Sequence, residues 1–364
     1  RCNEVSDDDD NDNDDAKDDD DDNGSRSSVR VHKGDEERGG IGNEESDCSL
    51  KGKMSAFVGG GARIGAVRDH GLRAACERRR DTRRTRTERV AVSAALGTKR
   101  WAGKNQQMDI DGVKLSFDYF PGNGPVVVFL PQFYYGKDPF AKLNAIVYFC
   151  ERRGQGFLTL DYFGTGRSGG DFKDGTLSLW VDHAIEILER VLGTQKVILV
   201  TTGVGVWIGM HVAMRRSRQI VGIIGMSVDP DFTEELILPS MTDEQIQTMK
   251  KDGVVQMQWG NKQYPIGQKF IDDAKNMLLL RNGPNSINVN CPVRLLQGMS
   301  DEEIPTELAL KLATNLRSKD VKLTYLKESD HTMEREADFE LMTSNTAEIL
   351  DKYYEFDLRT PGSG

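Results

Sequence analysis

Three short stretches of this 364-residue chain carry residue types that could do chemistry together. Thr201-Thr202-Gly203-Val204-Gly205 has the layout of a nucleophile elbow, the strand-turn-helix join at which a G-x-S-x-G sequence lifts a serine above a parallel sheet. Gly298-Met299-Ser300-Asp301-Glu302-Glu303 offers a carboxylate, and Ser329-Asp330-His331-Thr332-Met333 offers an imidazole. Gly203, Asp301 and His331 therefore follow the order nucleophile position, acid, histidine. In such a set the acid orients the imidazole and stabilises its charged form, while the imidazole moves the proton. Glu302 and Asp330 compete with Asp301 for the role of acid. The elbow is the anomaly, because Gly203 has no side chain and cannot attack a carbonyl. Glycine nonetheless suits the turn, whose central residue is held in a strained conformation, commonly with positive φ. Thr201 is bulkier than the small residue usual two places before the nucleophile, which stands against a tight elbow. An ordinary strand-turn-helix join with a structural glycine is the competing reading.

Backbone donors outlast side-chain changes. An oxyanion hole at such an elbow would use the N–H of Val204 and, in Pro131-Gln132-Phe133, that of Gln132 or Phe133. Gly164-Thr165-Gly166-Arg167-Ser168-Gly169 spells G-x-G-x-x-G, but a dinucleotide turn needs a helix opening at the third glycine and an acid ending the next strand. A polar loop follows instead, so a tight turn at the pocket rim is expected, and no cofactor. The five cysteines, Cys2, Cys48, Cys76, Cys150 and Cys291, are odd in number, scattered and free of a C-x-x-C pair. That spacing argues against a disulfide scaffold and against a zinc or other metal site. Cys150 and Cys291 lie in apolar runs and read as buried small hydrophobes.

These loops need elements to hold them. Met108 to Tyr119 alternates apolar and polar around a turn, as a half-buried hairpin does. Residues 121–125 read as a loop. Val126 to Leu130, Phe157 to Asp161, Val197 to Val200, Ile220 to Met226, Pro292 to Leu296 and Val321 to Leu326 are short runs suited to strands. Helices are expected over Ala141 to Arg153, Thr176 to Leu192 (Thr176 as N-cap, Gly193 as stop), after the elbow, over Thr306 to Leu316, and near Phe339 to Tyr354. Strand and helix alternate, which predicts an open, mostly parallel sheet with helices on both faces. The stretch from about 229 to 288 reads as a helical, irregular lid, its methionines Met241, Met249, Met257 and Met277 being adaptable packing or the lining of an apolar ligand site.

The flanks are different in kind. Net charge is -10, set largely by the tract from Asp7 to Asp22. Segment 1–53 is too acidic for a core and is expected to be disordered, either an acidic tail or sequence foreign to the native chain, which here starts at Arg1 and not Met. Segment 54–104, from Met54, is rich in arginine and poor in acids, the composition of a mitochondrial presequence; a linker and a nucleic-acid-binding arm are the rivals. Residues 358–364 read as a flexible tail. No apolar stretch approaches the roughly 20 residues of a membrane-spanning helix.

Several segments together resemble a known family. They are Asp161-Tyr162-Phe163-Gly164-Thr165-Gly166-Arg167-Ser168, Thr176-Leu177-Ser178-Leu179-Trp180, Asn290-Cys291-Pro292-Val293-Arg294 with Gly298-Met299-Ser300-Asp301, and Ser329-Asp330-His331-Thr332-Met333. In these the chain resembles the mitochondrial acyl-protein thioesterases of the α/β-hydrolase superfamily, over about Met108 to Tyr354. The resemblance implies an α/β-hydrolase fold with a lid over a domain of 105–357. It implies cleavage of palmitoyl-protein thioesters and acyl-glucuronide esters, Asp301 and His331 as acid and base, and a mitochondrial matrix location. Its substrates would be acyl esters, acyl thioesters or S-acylated proteins, with no nucleic acid and no transmembrane segment. The departures lie at the elbow. Where the family pattern has Gly-Ser-Ser-Leu-Gly-Gly this chain has Thr201 to Val206, and where it has Pro-Gly this chain has Pro131-Gln132. An inactive or severely weakened hydrolase that still binds an acyl ligand is therefore expected. The alternatives are slow cleavage by a His331-activated water and a one-codon change in a serine hydrolase.

Overall fold

The computed structural model describes residues 105–134, 136, 141–259 and 262–359. The acidic segment 1–53 and the arginine-rich segment 54–104, with Cys2, Cys48 and Cys76, and residues 360–364 of the tail lie outside the described residues.

Ten strands are arranged in two sheets among the described residues. The large sheet holds β1 (Gln106–Ile110), β2 (Val113–Phe120), β3 (Asn123–Leu130), β4 (Gln155–Leu160), β5 (Val197–Gly203), β6 (Ile220–Val228), β9 (Val293–Gly298) and β10 (Val321–Leu326). Their spatial order is β1-β2-β4-β3-β5-β6-β9-β10. The β1–β2 and β2–β4 pairs are antiparallel, and all pairs from β4 to β10 are parallel. Parallel strands must be buried on both sides, and they are: β5 is buried at all seven positions and β9 at all six.

Seven helices are used below: α1 (Ala141–Arg153), α2 (Leu177–Leu192), α3 (Val204–Arg215), α4 (Asp243–Asp252), α5 (Gln268–Ala274), α6 (Glu307–Asn315) and α7 (Glu336–Arg359). The apolar sheet positions divide into two cores. Val128, Leu158, Leu199 and Leu295 pack with Trp180 and Leu188 of α2 and Trp207 of α3. Val127, Phe129, Ile198 and Val200 pack with Leu143 and Ile146 of α1 and Met342 and Ile349 of α7. Helices thus cover both faces, as the alternating pattern predicts. α2 begins where expected, with Thr176 Oγ1 accepting from Leu179 N–H at 3.2 Å, and stops at Gly193, whose φ is 57°.

Three expectations need correction. The stretch 121–125 is only partly a loop, because β3 starts at Asn123. Cys150 is buried, but Cys291 is only half-buried, although burial still pushes its thiol up to about 12. The insertion between β6 and β9 is not wholly helical: β7 (Val254–Trp259) and β8 (Lys262–Gly267) form a separate antiparallel hairpin between α4 and α5. Met249 and Met257 sit eight apart, a spacing that a helix also satisfies. Gly253 in the left-handed conformation (φ 72°) ends α4, and Val255 and Met257 then alternate as the buried residues of β7.

A parallel sheet brings all its strand ends to one edge, where ligands bind in such folds. Leu130 pairs in register with Thr201, Thr201 with Gly225, and Gly298 with Leu326. The segments that leave those ends are Pro131-Gln132-Phe133, Gly203, Asp229, Asp301 and His331.

Candidate active site

The elbow is tight for a reason that can be read from its glycines. Gly203 ends β5 with φ 57° and ψ -132°, and α3 starts at the next residue. A Cβ on Gly205 would stand 2.4 Å from the Leu130 carbonyl oxygen, so only glycine lets α3 enter this close to β3. The bulk of Thr201 is accommodated by another glycine: a Cβ on Gly209 would meet the Thr201 methyl at 2.9 Å. The Thr201 hydroxyl donates to the Ile224 carbonyl at 3.0 Å. The turn is therefore compatible with threonine at 201, contrary to the tension noted in the sequence.

At the far loops, His331 donates its Nδ1–H to Asp301 Oδ2 at 3.1 Å. The Asp301 side chain is fully buried and every lone pair has work. Oδ2 also accepts from Gln297 Nε2 at 2.8 Å, and Oδ1 accepts the N–H groups of Glu303 and Ile304 at 3.0 and 2.9 Å. Of its two competitors, Glu302 is exposed, and Asp330 spends Oδ1 on its own turn, accepting from Thr332 N–H, Thr332 Oγ1 and Met333 N–H. Burial pushes the Asp301 carboxyl up, but the bond to His331 and its charge, with the two backbone donors, more than offset this and hold it below the ordinary value. For His331, burial lowers the pKa; the bond and charge of Asp301, then Asp229 and Glu303, outweigh that and raise it. Glu303 Oε2 stands 4.0 Å from Nε2, the ring nitrogen left free of Asp301.

Two buried groups beside the elbow were missed in the sequence. Lys142 on α1 is 1% exposed, and its Nζ donates to Gln132 Oε1 at 3.2 Å, Thr202 Oγ1 at 3.2 Å and the Thr332 carbonyl at 2.7 Å. One ammonium thus joins the loop after β3, the end of β5 and the histidine loop. Burial lowers its pKa to about 8, with Glu334, Asp330 and Asp338 opposing. A signal existed: Lys142 shares the inward side of α1 with Leu143 and Ile146. Asp229 follows β6 and is buried, and its Oδ1 has no hydrogen-bond partner among the described residues. Burial pushes its carboxyl well up; the His331 charge opposes this and Asp301 reinforces it. Its position directly after a parallel strand was the available clue.

The remaining expected residues surround Gly203. A Cβ placed there would stand 2.9 Å from Gln132 Cβ and 3.6 Å from Asp229 Oδ2. Val204 is buried at the start of α3. Phe133 turns its ring into an aromatic cluster, with centroids 5.1 Å from Phe172, 5.3 Å from Phe232 and 5.5 Å from Phe270. A closed contact with no room for a water molecule joins Phe133, Phe172, Trp180, Ile266 and Phe270. It brings the β7–β8 hairpin to the loop beside the elbow.

Chemically, the set offers an imidazole oriented by a buried carboxylate, on the same sheet edge as an elbow whose central residue is glycine. Three hydroxyls of the surrounding segments are engaged: Thr202 Oγ1 accepts from Lys142, Ser227 Oγ donates to the His331 carbonyl at 2.6 Å, and Thr332 Oγ1 donates to Asp330. Among the described residues no cluster of His, Cys, Asp or Glu could hold a metal ion, and no helix is long and apolar enough to cross a membrane.

Comparison with known proteins converges on one group. The chain is 31% identical over 242 residues to the mitochondrial palmitoyl-protein thioesterase ABHD10 of Mus musculus, covering 65% of this chain and 79% of the relative. The Homo sapiens protein of the same name is 30% identical over 241 residues, covering 65% and 77%. Among solved structures, mouse alpha/beta hydrolase domain-containing protein 10 superposes with a TM-score of 0.62 at 26% identity, over 69% of this chain and all of that one. Est1E from Butyrivibrio proteoclasticus, at 18% identity and a TM-score of 0.56, shares the fold over 68% of this chain and 98% of its own. No protein-family model matches the chain. Sequence and fold together place the chain in the ABHD10 family of α/β-hydrolases, whose named members are mitochondrial palmitoyl-protein thioesterases.

Proposed function

We propose that this protein is a hydrolase-derived acyl-ligand-binding pseudoenzyme in which Gly203 stands at the vacated nucleophile position while Asp301 and His331 persist as the acid–imidazole pair. The single observation that supports this reading is a glycine with φ 57° at the end of β5, on the same sheet edge as a carboxylate-bound imidazole. Removing a catalytic serine typically costs on the order of a millionfold in turnover. The ligand class is an acyl ester or thioester, free or on an S-acylated protein, bound under the 229–288 insertion. A fluorophosphonate probe is expected not to label the chain, while palmitoyl or aryl ester ligands raise its melting temperature. Labelling at any residue, or no shift with either ligand, would reject the reading.

A second reading has its own support in Asp229, whose Oδ2 lies 3.6 Å from the empty side-chain position and whose Oδ1 is buried without a partner among the described residues. A water seated there would lose its proton to His331 and cleave the ester slowly. His331→Ala abolishes such cleavage; unchanged turnover would exclude it. The site of action we propose is the mitochondrial matrix, reached through a presequence in 54–104. A fluorescent fusion starting at Met54 should enter mitochondria, and a diffuse signal would refute this.

A further inference from the structure

We infer that Gln132 and Gly203 are one coupled change: Gln132, anchored by the buried Lys142, takes the room that any side chain at 203 needs, so the elbow accepts only glycine while Gln132 is in place. This rests on the reading of Gly203 as the vacated nucleophile position and deepens it.

The contact is close and hard. A Cβ on Gly203 would lie 2.9 Å from Gln132 Cβ and 3.4 Å from Gln132 Cα. Both atoms precede the first rotatable side-chain bond beyond Cβ, so no rotamer change at 132 relieves the clash. The loop itself would have to retreat, and two features oppose that. Lysine donates and never accepts, so the amide oxygen of Gln132 must face Lys142 Nζ, 3.2 Å away. Withdrawal of the loop would leave a buried ammonium one acceptor short. The next residue, Phe133, is lodged between the rings of Phe172, Phe232 and Phe270 and resists being drawn out. Asp229 bounds the other side, 3.6 Å from the same Cβ position. A serine restored by one codon change would therefore meet an occupied site.

The test uses the full chain with Gly203→Ser, Gln132→Gly, and the two combined, read by the rate of fluorophosphonate labelling, the labelled residue by mass spectrometry, and the melting temperature. The double variant is expected to label at residue 203 at least tenfold faster than Gly203→Ser alone, and to regain melting temperature that the single variant loses. Gln132→Gly alone should not label. Gln132→Ala combined with Gly203→Ser keeps the clashing carbon but releases Lys142, so its rate should fall between the other two. If Gly203→Ser alone labels as fast as the double variant and melts like the parent, the coupling is wrong and the vacated-nucleophile reading stands. If neither labels although both retain the parent's circular dichroism, the nucleophile reading fails and the coupling with it.

Discussion

The two halves of the site lie along one sheet edge but are held in opposite ways. On the side of β9 and β10, Asp301 accepts four hydrogen bonds, and Gln297 passes the chain of bonds on to Val228 N–H at 2.8 Å. Ser227 then closes the ring through the His331 carbonyl. On the side of β3, β5 and the end of β6, a lysine is buried with its pKa lowered, an aspartate oxygen is buried without a partner among the described residues, and a glutamine abuts a glycine. The contrast teaches that the acid–imidazole pair can persist for structural reasons. Asp301 ties β6, β9 and the loop after β10 together whether or not anything is hydrolysed. The elbow side is held instead by the three bonds of Lys142.

Substitutions can break or sharpen that contrast. The largest effect should appear on the bonded side. In the Gly203→Ser/Gln132→Gly background, Asp301→Asn should lower thioester turnover by about 10⁴, because the imidazole loses its orienting acceptor. A drop under tenfold would mean the pair is only scaffolding. Next in size is Lys142. Its folded pKa of about 8 lies below the ordinary 10.5, so between those values the unfolded chain binds the extra proton and stability rises with pH. Lys142 should contribute about 3 kcal/mol of that rise across the window, against the opposite slope of Cys150, Cys291 and Tyr162, whose pKa values burial raises. The contribution is the difference between the parent and Lys142→Met in urea denaturation at pH 8 and pH 10. Somewhat smaller is Gly205→Ala, whose Cβ would meet the Leu130 carbonyl oxygen; a loss of about 2 kcal/mol in the same assay is expected. The smallest is His331→Gln. Because folding raises the His331 pKa, its contribution is full below the ordinary value of 6.5 and fades as pH rises through the folded value. The parent should therefore lose more stability than the variant between pH 6 and pH 8.5, as followed by thermal melts.

Much of the scaffold was legible because it depends on local pattern. α1 and β10 have the bounds that periodicity gives, and Thr176 and Gly193 cap α2 as their types suggest. The β7–β8 hairpin was not legible through Met257, since its spacing of eight from Met249 fits both a helix and an alternating strand. At the site, the histidine and acid loops could be found because turn residues follow strand-like runs. Lys142 and Asp229 could not be assigned a role, because a lysine on a helix or an aspartate after a strand is usually solvated, and only the partners reveal otherwise.

The sequence by itself determined that the chain folds as an alternating α/β sheet, that a glycine stands at the elbow, and that an acid and a histidine follow in hydrolase order. Those are matters of residue type and period, which a chain carries without its fold. Only the tertiary structure decided that Asp301, and not Glu302 or Asp330, binds His331, and that Gln132 sits against Gly203 with Lys142 behind it. Such choices depend on contacts of a few ångströms between residues up to 190 positions apart. Parallel register fixes those contacts, and nothing local encodes them.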